Sequence, residues 1–271
     1  MAKKNGLKTT ERLLGIIKNG GNGQDQRLFR IVQNKDMASD STVLGRNNRH
    51  FCEISFSEQA MPRVRAQLDA IWSNILLSQG APPHSVLLTS ASKGEGVTYV
   101  SERLSLYLAT AYNHNVLYVN VANQILAPNA PPCPSAEEVV ACLTSGRGID
   151  DLVAASSTPG LWVLNLGITE GQHALPWLLP EKDVLGSLLR QTRERFDVVV
   201  FDAQSVLSAP WTATMAKPLD VNLLVCRFAV TRREVLNTLL DAFRAAGVAP
   251  QGVILNARRY SVPQFFYKLL K

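Results

Sequence analysis

The chain has 271 residues, 46% of them apolar, and a formal net charge of +6. That length suits one large α/β domain or two small ones, with enough apolar material for a core that needs no disulfides. The four cysteines (Cys52, Cys133, Cys142 and Cys226) have no C-x-x-C spacing, which argues against a zinc site or a disulfide framework and reads as free thiols in a reducing compartment.

The opening residues lack the apolar region of a signal peptide, and no stretch approaches the length of a membrane span. The expectation is a cytoplasmic chain. The charge is uneven. Residues 1–65 hold twelve Lys/Arg and six Asp/Glu, so they carry the whole excess, and the remainder is balanced. A basic arm of this kind can meet anionic lipid, nucleic acid or an acidic partner, or remain a solvated tail.

Residues 1–60 show no sustained period and read as a basic, partly disordered extension. Within it, Thr9–Lys18 has the pattern of a short amphipathic helix carrying Leu13, Leu14, Ile16 and Ile17, broken by Gly20-Gly21-Asn22-Gly23. Such a helix is marginal alone, because its first turn is costly to nucleate. From 61 to 260 the pattern becomes regular. Helical periodicity over Val64–Leu77 is followed by strands at Ser85–Thr89, Val116–Val119, Leu161–Asn165, Val198–Asp202, Val221–Cys226 and Gly252–Asn256. Helices are expected at Thr98–Tyr112, Ala136–Thr144, Lys182–Phe196, Trp211–Lys217 and Arg232–Ala246. Pro128–Pro134 reads as a loop. Residues 261–271 form an aromatic and basic tail, suited to a partner or membrane surface or to packing back on the domain.

Continuous apolar runs such as Val198-Val199-Val200-Phe201 suit strands covered on both faces. Alternation of strand and helix implies an α/β fold: a doubly wound, mostly parallel sheet with helices on both faces. Ligands of such sheets bind at the carboxyl ends of the strands. That places the segment Ser90–Gly96, the loop after Val119 and the loop after Phe201 around one pocket.

Ser90-Ala91-Ser92-Lys93-Gly94-Glu95-Gly96-Val97-Thr98 has the layout of a phosphate-binding loop without its lysine. Gly94 and Gly96 permit a tight turn that aims N–H groups at phosphate. Thr98 stands where a hydroxyl would bind Mg²⁺, and Asp202 ends an apolar strand as a metal-binding carboxylate does. The lysine that would reach the β/γ-phosphates is replaced by Val97. Without a ligand, the same glycines shape a strand-to-helix turn and Thr98 is an ordinary first-turn residue.

With these residues in view, the region of about 62–260 resembles the P-loop domain of bacterial tyrosine autokinases and their relatives in polysaccharide export. That family reads T-S-x-x-P-G-E-G-K-[ST]-T, then V-L-L-I-D-x-D, then an apolar strand ending in D-x-P-P. The matching segments are Thr89–Tyr99, Val116–Ala122 and Phe196–Ser205. The resemblance implies a P-loop NTPase-like fold and a nucleotide pocket built from Gly94, Glu95, Gly96, Thr98 and Asp202, with Asn256 on the base side. It also marks departures. Val97 replaces the lysine, and Lys93 falls at the family's proline. Asn120 and Ala122 replace two carboxylates, and Gln204-Ser205 replaces the prolines. Phosphoryl transfer depends on positioning and charge neutralisation, and losing one preorganised stabilising group costs about 10²–10³ in rate.

The expectation is therefore a vestigial pocket: no catalytic residue, no metal and no cofactor, with ATP and magnesium as the alternative. The family's acceptor tyrosine cluster is reduced to Tyr260 and Tyr267. Its oligomerising E-x-x-R-x-x-R helix becomes Ala66, Asp69 and Trp72. The leading reading is a non-catalytic pseudokinase acting as a cytoplasmic scaffold or regulator in bacterial exopolysaccharide biosynthesis and export. It would sit peripheral to the inner membrane on a chain-length, export or synthase component, with a homodimer and a membrane contact through the basic arm as further associations. The second reading is an ATP-binding switch that hydrolyses slowly or not at all. A partition-type protein that binds nucleic acid ranks third, because the lysine such relatives carry before the glycines is Ser92 here.

Overall fold

A computed structural model describes residues 27–30, 51–52, 61–122, 134, 136–144, 148–166 and 183–257. For 27–30, 51–52, 61–63, 136–137 and 144 only the backbone is considered. The expected helix at Thr9–Lys18, the loop Pro128–Cys133 and the tail 261–271 lie outside the described residues.

The centre of the molecule is β3 (Ser85–Ser90), every residue of which is buried. On one side it pairs in parallel with β7 (Val198–Asp202), which pairs with β4 (Val116–Asn120) and then β6 (Leu161–Asn165). On the other side it pairs with β8 (Val221–Arg227), followed by β9 (Gly252–Asn256). The short β5 (Ala154–Ser156) runs antiparallel to β6, and the edge strand beyond it follows its direction. Two further strands close the edges: β1 (Arg27–Arg30) beside β9 and β2 (Phe51–Cys52) beside β5. The order is β1-β9-β8-β3-β7-β4-β6-β5-β2.

Period-two alternation divides the core. Val86, Leu88, Val198, Val200, Val221 and Leu223 face α1 (Met61–Gln79) and α2 (Val97–Ala111). Leu87, Val199, Phe201 and Leu224 face α3 (Ala136–Thr144), α4 (Val184–Arg193), α5 (Trp211–Met215) and α6 (Arg233–Ala245). Both layers are apolar because helices cover both faces, which is why β7 is an unbroken apolar run. Full burial of a side chain such as Phe201 contributes about 1.5–3 kcal/mol.

The doubly wound, mostly parallel sheet is as the sequence implies, and the elements fall within a few residues of their expected bounds. Three strands differ from the reading. The expected extension at 1–60 supplies β1 and β2, so the sheet draws two strands from before residue 61. These are four and two residues long and take their stability from backbone pairing to existing edges. β5 has three residues and no β-branched side chain, so no local pattern announced it.

Candidate functional site

The carboxyl ends of β3, β4 and β7 meet at one end of the sheet, where Leu88 pairs with Asp202 and Asn120 with Asp202 across the ladders. The loop leaving β3 turns through two left-handed glycines, Gly94 (φ 87°) and Gly96 (φ 91°), and enters α2 directly. Gly96 is held to glycine twice over. Its φ disfavours any L side chain, and an added Cβ would run into the Asn256 side chain. The loop therefore keeps the shape expected of it.

Glu95 does not open into the pocket. Its carboxylate is buried, accepting from the Ala91 N–H at 3.2 Å and from the Thr231 hydroxyl at 2.7 Å. Burial raises its pKa, and the bonds from Thr231, Ser92 and Ala91 oppose the rise. Asn256, expected on the base side, donates its amide to the Glu95 carbonyl at 2.9 Å, while its Oδ1 accepts from the Ala257 N–H. Both residues thus brace the loop from within. Lys93, on the same loop, is exposed.

Val97, at the lysine position, is half-buried and packs with Tyr99 against the core cluster of α1 and α2. Thr98 follows on α2. Asp202 is fully buried at the end of β7, where its Oδ2 accepts from the Tyr118 hydroxyl at 2.8 Å. Thr98 faces the same carboxyl, yet Asp202 Oδ1 has no hydrogen-bond partner. Burial pushes the Asp202 pKa up to about 6, against the opposing effects of Thr98 and Tyr118. Glu102, one turn after Thr98, is raised to about 7 by burial and by the Asp202 charge, with Arg103 opposing.

Asn120, in place of a carboxylate, is closed off. Its amide donates to Asn165 Oδ1 at 3.0 Å, and its own Oδ1 accepts from the Ala122 N–H at 3.0 Å. Ala122 adds only a buried methyl. A magnesium ion would find the free Asp202 oxygen and the Thr98 hydroxyl suitable. The triphosphate of a nucleotide would find backbone N–H groups and no cation from the lysine position. Gly94, Gly96, Thr98 and Asp202 therefore meet at one site. Among the described residues no group of three or more His, Cys, Asp or Glu side chains is arranged to hold a metal.

Tyr118, Glu102, Thr231 and Asn165 were missed in the sequence. Two of them carried a signal. A tyrosine within a buried strand needs a partner for its hydroxyl, and Glu102 lies four residues after Thr98, hence on the same helix face. Thr231 and Asn165 come from distant elements and carried none. On α1, Trp72 is 1% exposed and Asp69 accepts from the Tyr107 and Tyr112 hydroxyls at 2.8 and 3.2 Å. These two of the three positions compared with an oligomerising helix make contacts within the chain. No described helix is long and apolar enough to cross a membrane.

No family model matches the chain. In sequence it is similar to the tyrosine-protein kinase ptk of Acinetobacter johnsonii, with 31% identity over 114 residues, 42% of this chain and 15% of that one. It is also similar to the tyrosine-protein kinase etk of Escherichia coli K12, with 22% identity over 178 residues, 63% of this chain and 23% of that one. The chain thus spans less than a quarter of either relative. Its fold is similar to the kinase domain of the Escherichia coli tyrosine kinase ETK, with a TM-score of 0.68 at 17% identity, covering 86% of this chain and 91% of that one. The VpsO kinase domain gives a TM-score of 0.54 at 24% identity, covering 76% of this chain and all (100%) of that one. The resemblance to the P-loop domains of bacterial tyrosine kinases, inferred above from motifs, is present in both sequence and fold.

Proposed function

We propose that this chain is a non-catalytic relative of the bacterial tyrosine autokinases, a P-loop pseudokinase. It acts as a scaffold or regulator in exopolysaccharide biosynthesis and export, docked on an inner-membrane chain-length, export or synthase component. The observation that carries the reading is the closure of the charged positions. Val97 packs on the core where a lysine would reach phosphate, and Asn120 is spent on Asn165 and the Ala122 N–H. The pocket keeps its backbone shape and has lost the charges that neutralise a transferring phosphoryl group.

The experiment is magnesium-dependent ATP hydrolysis and autophosphorylation of the purified chain beside its Asp202→Ala variant. Equal, background-level rates are expected. A rate clearly above that of the variant overturns the proposal.

A second reading, an ATP-binding switch without fast hydrolysis, is favoured by one observation. Asp202 Oδ1 is buried without a partner, and such an atom is suited to a metal. Calorimetric titration separates the two: tight ATP binding abolished by Gly96→Asp selects the switch.

A further inference from the structure

The turn joining β8 to α6 breaks three local rules within seven residues. Arg232 and Arg233 occupy the N-cap and first position of α6, where the helix dipole disfavours cations and a Ser, Thr, Asn or Asp would cap. Ala229 is held at φ 59°, a left-handed conformation that favours glycine. Val230, at the tip, is 60% exposed. Such conflicts are expected where function overrides stability.

Charge pairing separates this turn from most other arginines, although exposed Arg65 on α1 also has no carboxylate partner among the described residues. Arg190, Arg193, Arg195 and Arg244 each have a carboxylate partner, respectively Asp183, Asp220, Asp150 and Asp241. Arg227, Arg232 and Arg233 are exposed and have none among the described residues. The turn is also rigid. The Thr231 hydroxyl accepts from the Arg227 N–H at 2.9 Å and donates to Glu95, and the Phe228 N–H donates to the Asn256 carbonyl at 2.8 Å. These bonds fix it beside the loop that carries exposed Lys93.

We propose that the turn Arg227–Arg233 is a docking surface for an acidic segment of a partner protein. Carboxylates of that segment pair with the three arginines, and an apolar side chain covers Val230. Planar guanidinium groups on a fixed turn suit directional, bidentate carboxylate pairing. A membrane or nucleic acid is the poorer match. The described residues hold as many Asp/Glu as Lys/Arg, so the folded region has no broad positive field, and the apolar tip is one valine. This inference rests on the scaffold reading, for which it names a contact face.

The test is titration of the full chain with a short fluorescein-labelled peptide of mixed glutamate and leucine, read by polarisation. Parallel arms use the glutamine counterpart, anionic phosphatidylglycerol vesicles and duplex DNA. Saturable binding of the acidic peptide is expected, weakened roughly tenfold or more by Arg232→Glu with Arg233→Glu and also by Val230→Asp. The double charge reversal is expected to fold and to raise Tm by about 1–4 °C, since it places acids at a helix N-terminus. Absence of peptide binding, binding unchanged in the reversed variant, or preference for vesicles or DNA overturns the proposal. ATP turnover is measured separately. Turnover with peptide binding intact sinks the pseudokinase reading alone, and lost peptide binding without turnover sinks the docking face alone.

Discussion

The Asn256 amide donates to the backbone carbonyl of Glu95 at 2.9 Å, joining the end of the last strand to the turn of the phosphate-loop segment across 161 positions of sequence. The Glu95 carboxylate meanwhile holds the Ala91 N–H and the Thr231 hydroxyl. The loop is therefore braced by its own chain, with no need of a bound anion to keep its turn.

That bracing predicts coupling between Gly96 and Asn256. Gly96→Ala adds a Cβ at φ 91° and into the Asn256 side chain, and is expected to destabilise by about 2–4 kcal/mol in urea unfolding. Asn256→Ala removes a buried hydrogen bond and should cost about 1–2 kcal/mol. The double variant should be less destabilised than the sum, because the clash disappears while the strained φ remains. Additive losses would show that the contact is unimportant.

Restoring charge tests the pocket. Val97→Lys alone is expected to lose about 1 kcal/mol of stability, as an apolar contact with the α1–α2 core is given up. It should leave ATP hydrolysis at background. Val97→Lys with Asn120→Asp and Ala122→Asp should gain measurable ATP binding by calorimetry. Hydrolysis by the single variant at rates typical of kinases would show that one lysine was the whole defect.

Asp202 and Glu102 predict an unusual pH response. Their folded pKa values are raised, to about 6 and about 7, so the folded state favours their protonated forms. The stability they contribute is full at acidic pH, below their unfolded values. It falls as pH rises through about 6 and about 7. Asp202→Asn should therefore stabilise the chain at pH 8 relative to pH 5 by about 2 kcal/mol compared with the wild type, measured by denaturant melts at both values. No difference would show that Asp202 is solvated in the fold, and one of the opposite sign that the fold stabilises its charged form.

On α1, Trp72→Ala should cost about 3–5 kcal/mol, since the ring is 1% exposed within the α1–α2 core. Trp72→Arg, which restores the residue of the compared oligomerising motif, is expected to unfold the domain instead of producing an assembly. Size-exclusion chromatography with circular dichroism distinguishes a folded oligomer from an unfolded chain.

The order of strands and helices could be read from the sequence, because buried parallel strands are continuous apolar runs and α2 and α6 follow clear breaks. Gly94, Gly96, Thr98 and Asp202 could be read too, since their chemistry depends on local spacing at strand ends. The short strands β1, β2 and β5 were not legible. They are two to four residues long and exist by pairing with other strands, remote in sequence for β1 and β2.

The doubly wound sheet, the place of the loop and a valine at the lysine position could all be read from residue order alone. Which partners the polar groups of the site meet follows from packing instead. Glu95 turned inward to Thr231, Asn120 paired with Asn165, and Asp202 met the Tyr118 hydroxyl while keeping one oxygen free. The reason is physical: local pattern fixes periodicity and turn geometry. A buried polar side chain takes its partner from whichever element packing brings within about 3 Å.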